Sequence, residues 1–174
     1  AGYDINKIYI YSEGEKVKNK SAQSENQLVY SRAVFPFWDV QVGIDYDKNE
    51  KAHQTWGIIG LQGLAKYFFE TRTVLLIGED GNIGLRIEAE YDALLTQKLI
   101  LSPSAQISAY TKNNEEMAIG SGFSNITLDA RLRYEFTREF APYIGIQWSK
   151  NFGNTNDISS LDEAYAVTGV RFWF

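Results

Sequence analysis

Cysteine is missing from the 174 residues, and histidine and methionine each occur once, as His53 and Met117. Without a thiol there is no disulfide framework, no thiolate zinc or iron–sulfur site and no cysteine nucleophile. Apolar runs are short: the longest obvious one is Val74 to Ile77, far below the roughly 18 residues of a transmembrane helix. A helical membrane protein is therefore excluded. Basic residues are in deficit, with 17 Lys and Arg against 22 Asp and Glu, a formal net charge of -5 and a pI near 5.0. That balance argues against nucleic-acid binding, which requires a surface able to neutralise phosphates. The opening Ala1-Gly2-Tyr3-Asp4 has neither the basic nor the apolar region of a secretory signal, so any such signal is expected to have been removed or to lie outside this sequence.

Aromatic rings, by contrast, are abundant: 4 Trp, 11 Tyr and 10 Phe make up 14% of the chain. Almost no 3.6-residue pattern accompanies them. Instead a period of two recurs, the mark of strands whose faces meet different surroundings. In Ile83 to Asp92, Ile83, Leu85, Ile87, Ala89 and Tyr91 oppose Gly84, Arg86, Glu88, Glu90 and Asp92. Trp38 to Asp47 splits alike, with Val40, Val42 and Ile44 against Asp39, Gln41 and Asp45, and Ile126 to Phe136 sets Leu128, Ala130 and Leu132 against Asp129, Arg131 and Arg133.

Ten segments follow this rule, over about 3–13, 26–35, 38–47, 55–65, 69–78, 83–93, 98–111, 126–137, 142–152 and 164–174, with ends good to ~2 to 4 residues. Their connections alternate. Short turns fall at Phe35-Pro36-Phe37, Lys66-Tyr67, Leu94 to Gln97 and Arg138 to Ala141; longer polar links fall at Gly14 to Glu25, Lys48 to Gln54, Lys112 to Asn125 and Gly153 to Glu163, with Glu79 to Asn82 the one tight member. The expected fold is a single all-β domain over 1–174, an antiparallel up-and-down transmembrane β-barrel of ten strands, eight being the alternative. An even count puts both ends on the short-turn side, periplasmic in a bacterial outer membrane. In such a barrel lipid bathes the apolar face and the polar face lines the interior.

Rings near strand ends fit the interfacial girdle of a barrel: Tyr46, Trp56, Phe69, Tyr91, Tyr134, Phe136, Tyr143 and Trp148 are so placed. The last strand puts Ala166, Thr168, Val170, Phe172 and Phe174 on one face. A terminal aromatic strand closing on Phe172 and Phe174 resembles the assembly signal read by the barrel insertion machinery.

The polar faces yield the expected lumen charges, chiefly Arg32, Glu70, Arg86, Glu88, Glu90, Asp92, Asp129, Arg131, Arg133 and Arg171, with Lys7, Asp39, Asp45, Arg72 and Glu135 beside them. Opposite charges in near balance point to a salt-bridge network. The competing reading is a narrow cation path along Glu88, Glu90, Asp92 and Asp129; carboxylates suit hard cations, whereas soft ones prefer thioether, thiolate or imidazole. His53, near Asp45 and Asp47 in sequence, raises rim acid–base catalysis, but no Ser or second His supports it at a useful spacing, so no enzyme is expected. Glu115-Glu116-Met117 is read as a solvated loop, and Gly57, Gly60 and Gly63 as room for large side chains crossing the lumen.

Asn6-Lys7-Ile8-Tyr9, Glu25 to Arg32, Pro36-Phe37-Trp38-Asp39, Gly78-Glu79-Asp80-Gly81, Glu88 to Asp92, Gly120-Ser121-Gly122, Glu139 to Tyr143 and Val170 to Phe174 together resemble, in collinear order over nearly the whole chain, the copper resistance protein B family of the bacterial outer membrane. The resemblance implies a part in copper homeostasis or export from the periplasm, with outer-membrane lipid, the insertion machinery and periplasmic copper-resistance proteins as partners. It also implies a Met- and His-rich segment ahead of the barrel that binds copper. That segment is expected to be absent here, leaving His53 and Met117 as the chain's own soft ligands. Two rival readings are a structural or adhesive barrel with a plugged lumen, acting through Glu15 to Glu25 and Lys112 to Asn125, and a rim hydrolase around His53.

Overall fold

A computed structural model describes residues 5–15, 23–48, 52–65, 69–137 and 140–172. The strands are β1 (Asn6–Glu15), β2 (Gln23–Phe35), β3 (Trp38–Lys48), β4 (His53–Leu64), β5 (Glu70–Gly78), β6 (Ile83–Glu90), β7 (Ala93–Leu94), β8 (Leu99–Tyr110), β9 (Gly122–Tyr134), β10 (Phe140–Asn151) and β11 (Asp162–Phe172), with one short helix, α1 (Gly153–Ile158), before β11. The strands pair antiparallel in chain order, except that β6 pairs with β8 and short β7 lies off this path, also paired with β8. Among the described residues no helix is long and apolar enough to cross a membrane.

The described residues form eleven strands where ten are expected, and the extra one has a local cause. Glu90↔Ser104 and Ala93↔Leu101 keep one register, so β7 continues the line of β6. Between them Tyr91 donates its N–H to the carbonyl of Pro103 at 3.0 Å. Pro103 has no N–H to return, and the ladder is interrupted there.

The sheet curls tightly. Arg72 on β5 reaches Gln27 on β2 at 3.1 Å, although three steps of about 4.8 Å would hold those strands some 14 Å apart in a flat sheet. The Trp56 and Tyr110 rings, on β4 and β8, likewise meet at 5.7 Å across the concave side. This is a barrel wall; among the described residues no ladder joins β1 to β11.

Its polarity is inverted relative to a water-soluble globule. Ile44 is 57% exposed and Ile146 66%, whereas Gln41 and Asp45 are wholly buried. Val42, Ile59, Leu61, Leu75, Ile77, Leu85, Ile87 and Leu128 share the outer surface, an apolar belt suited to hydrocarbon. Aromatics mark its edges, Phe69 against Tyr91 at 5.2 Å and Tyr134 against Phe136 at 4.9 Å. At the Pro36-Phe37 turn Phe37 adopts φ 69 and is exposed, a left-handed conformation costly for a bulky residue.

Three expectations need correction. Trp56 is buried inside the barrel and Tyr143 lines its cavity, so neither belongs to the girdle. Of the spaced glycines only Gly60 is buried; Gly57 and Gly63 alternate onto the outer face, and a Cβ on Gly63 would fall 2.6 Å from the Trp38 ring. Finally, the interior is not uniformly polar, since Val29, Trp56, Ile58, Val74, Leu76 and Ile119 form an apolar cluster within it. The run Val74 to Ile77 shows why: four apolar residues in a strand supply both faces.

Replacing Ile146 by Arg sets a charge near mid-strand on the apolar belt. We expect a loss of about 2 to 4 kcal/mol, measured as unfolding free energy in lipid vesicles, with Gln147→Arg on the opposite face losing less.

Candidate functional site in the barrel interior

Strand alternation brings the inward polar side chains together in two groups. In the first, Gln27 Nε2 donates to Asp45 Oδ2 at 3.0 Å, and Arg86 Nη1 stands 3.9 Å from the same oxygen. Arg72 donates from Nε to Gln41 Oε1 at 3.0 Å and from Nη2 to Gln27 Oε1 at 3.1 Å; Gln41 donates in turn to Gln62. Five strands, β2 to β6, are thus tied across the concave face. A buried carboxylate persists only with such partners, because isolating it from water is costly.

The second group lies on β9 and beside it. Arg133 Nη2 is 2.8 Å from Asp92 Oδ2 and its Nε 3.9 Å from Glu135, while Ser102 Oγ also donates to Asp92. Arg131 Nη2 is 3.3 Å from Asp129 Oδ1, and its guanidinium lies over the Tyr143 ring at 5.4 Å. Glu70 pairs with Glu90, and Arg72 with Glu88, in the β5–β6 register. Glu70, Glu88, Glu90, Asp129, Arg131 and Arg133 all face a cavity of about 830 Å³.

Arg32 does not join them. It alternates with buried Val29 and Ser31 and shares the outer face with Leu28 and Tyr30. Its flanking residues, Ser31 and Ala33, occupy the inward positions, so one step of parity separates Arg32 from the lumen. Arg171 stands opposite buried Ala141 and Phe172 opposite Phe140 in the β10–β11 register; Phe174 lies outside the described residues.

At the long-loop end the β8–β9 connection turns partly inward, burying Ile119 and Gly120 while Thr111 to Asn113, Glu115 and Glu116 stay exposed. Asn82, wholly buried in the β5–β6 turn, accepts at Oδ1 from Thr111 Oγ1 at 3.1 Å and from the Lys112 N–H at 3.0 Å. Asn114 Nδ2 donates to Gln54 Oε1 at 2.8 Å. The N–H of Gly120 donates to Thr155 Oγ1 at 2.9 Å, and Ser124 Oγ hydrogen-bonds the same hydroxyl at 2.8 Å. Thr155 is the buried residue of α1. Between these latches Ile119 enters the apolar cluster and Met117 packs against it. The connection is therefore a strap across the barrel mouth, a role that its polar composition conceals.

His53 and Met117 are not brought together. His53 sits exposed at the start of β4, stacked on Tyr46 at 6.0 Å, while Met117 is inside the mouth. Asp45 and Asp47 alternate inward on β3, the face opposite His53. Among the described residues no three His, Cys, Asp or Glu converge on a point that could hold a metal ion.

Comparison with known proteins matches this geometry to a family. The sequence model described as "Copper resistance protein B precursor (CopB)" matches residues 1–174. The chain belongs to the copper resistance protein B family. It is 38% identical to "Copper resistance protein B" of Escherichia coli and 39% identical to "Copper resistance protein B homolog" of Pseudomonas syringae pv. tomato, over 99% of this chain in each case. The chain spans 60% of the length of each of these relatives. In fold it is similar to the NanC porin in a rhombohedral crystal form, with a TM-score of 0.61 at 13% identity, covering 98% of this chain and 94% of the porin.

Two substitutions separate the roles of network and strap. Asp45→Ala removes the buried carboxylate that Gln27 and Arg86 share, and about 3 kcal/mol of stability is expected to go, read by urea titration in detergent micelles. Thr155→Val keeps the volume but removes the hydroxyl at α1. Its expected cost is about 1 to 3 kcal/mol, confined to the strap and seen as faster amide exchange at Gly120 with the strands unchanged.

Proposed function

We propose that this chain is the outer-membrane barrel of a copper-resistance protein and that it takes part in copper homeostasis by supporting export of copper from the periplasm. The observation that carries the reading is the family match along all 174 residues to a wall whose apolar side faces outward. Its short-turn end is then periplasmic and its strap extracellular. The insertion machinery would recognise β11, the strand that includes Phe172.

Within the barrel the chemistry available to a passing ion is chiefly that of hard donors, Met117 being the one thioether on the cavity lining. Glu70, Glu88, Glu90 and Asp129 supply carboxylate oxygen to the cavity, with Arg131 and Arg133 set among them. Such a lining attracts hydrated cations without selecting copper, whose reduced form favours sulfur and imidazole. On this reading copper is captured elsewhere, by a Met- and His-rich segment of the longer protein or by periplasmic copper-resistance partners, and the barrel supplies the membrane step.

The test is expression of the full gene, leader included, in a copper-sensitive Gram-negative host. Expected results are a heat-modifiable band in the outer-membrane fraction, growth at copper concentrations that stop the empty-vector strain, and less copper retained per cell. Unchanged tolerance would remove the copper role. Raised retention would overturn export while leaving the membrane placement intact.

A further inference from the structure

Arg32 raises a chemical question that the lumen does not answer: a permanent cation stands on the outer apolar surface. Its outward neighbours are Leu28, Tyr30 and Val34 on its own strand, with Asn6 and Val40 opposite it on β1 and β3. No carboxylate is among them, and no described residue pairs with the Arg32 guanidinium. A charge facing lipid with no counter-ion among the described residues draws one from the bilayer.

Its depth makes that possible. Arg32 lies opposite Val40, two residues from Trp38, which is about 6.5 Å along a strand, and Trp38 lies across Gly63 on the outer face near the short-turn edge. An arginine at this level reaches the headgroup boundary by snorkelling along its own stem. Two polar groups stand at the same height. The Tyr30 hydroxyl donates to Asn6 Oδ1 at 2.6 Å, which fixes the Asn6 side chain and leaves its amide N–H groups as donors beside Arg32. A guanidinium fork and an amide donor next to one another are suited to phosphate oxygens.

We propose that Arg32, with Asn6 oriented by Tyr30, binds the phosphate of an anionic phospholipid in the leaflet at the short-turn end. The inference rests on the membrane-barrel reading and adds a lipid site to its outer surface. Exposed Phe35 and Phe37 in the adjoining turn flank the site as interfacial rings beside the headgroup.

The experiment uses the folded full-length protein extracted from bilayers of equal phosphatidylglycerol and phosphatidylcholine, with bound lipid counted by native mass spectrometry. The wild type is expected to retain phosphatidylglycerol several-fold over phosphatidylcholine. Arg32→Leu should abolish the preference, Arg32→Lys should keep part of it, and His53→Leu at the opposite rim should leave it unchanged. Equal retention by wild type and Arg32→Leu overturns the site, and so does a wild type with no preference between the two lipids. A heat-modifiable gel shift, scored on every variant, reads the barrel separately: its loss in the wild type sinks the barrel reading, and its presence alongside lost lipid preference assigns the effect to Arg32.

Discussion

Hydrocarbon offers no hydrogen-bond partner, so each backbone N–H and C=O in the wall must find its partner in a neighbouring strand. That requirement explains most of what is seen here. It favours a continuous antiparallel ladder in chain order, makes an interruption costly, and confines proline to places where a missing donor can be tolerated. Pro103 shows the tolerance. The ladder is interrupted over Tyr91 and Asp92, opposite Pro103 and Ser102, and the register resumes unchanged on the far side. With the backbone settled internally, side chains are released to follow the two solvents, apolar outward and polar inward.

Period-two alternation made the wall readable before any coordinates. Where a strand carries apolar residues on one face and charges on the other, as Ile83 to Asp92 and Trp38 to Asp47 do, the outward and inward sets were correctly separated. The reading failed where that contrast is weak. Ile58-Ile59 and Val74 to Ile77 are apolar on both faces, so which of them turn inward depends on register, and the apolar cluster around Trp56 stayed hidden. Arg32 failed for the opposite reason. Its charge suggested the interior, but alternation from Leu28 and Tyr30 sets it outside, and parity governs the face that charge was used to guess.

The strap is a different kind of omission. Thr111 to Ser121 is polar, short of periodicity and rich in residues typical of solvated loops, so nothing local marks it as part of the interior. Its fold depends on groups far away in sequence: Asn82 holds one end through Thr111 and Lys112, and Thr155 of a six-residue helix holds the other through Gly120. Such latches are set by tertiary contact, which overrides composition. The neutral Gln27 and Gln62 carry no charge to mark them, yet with Gln41 they complete the network around Asp45 and Arg72.

The donor set inside the barrel also constrains how a copper-resistance function could be divided. Carboxylates, guanidinium groups and amides line the cavity with a single thioether, Met117, which also packs against an apolar cluster, whereas the only imidazole stacks on Tyr46 outside. A site selective for reduced copper needs soft donors converging on one point, and His53 and Met117 stand on opposite sides of the wall. Charge pairing, meanwhile, stiffens the interior across β2 to β6 and beside β9. On the proposed reading, selection therefore precedes passage: ligands outside this wall choose the metal, and the barrel contributes a rigid, polar and partly strapped interior through which the choice is carried out.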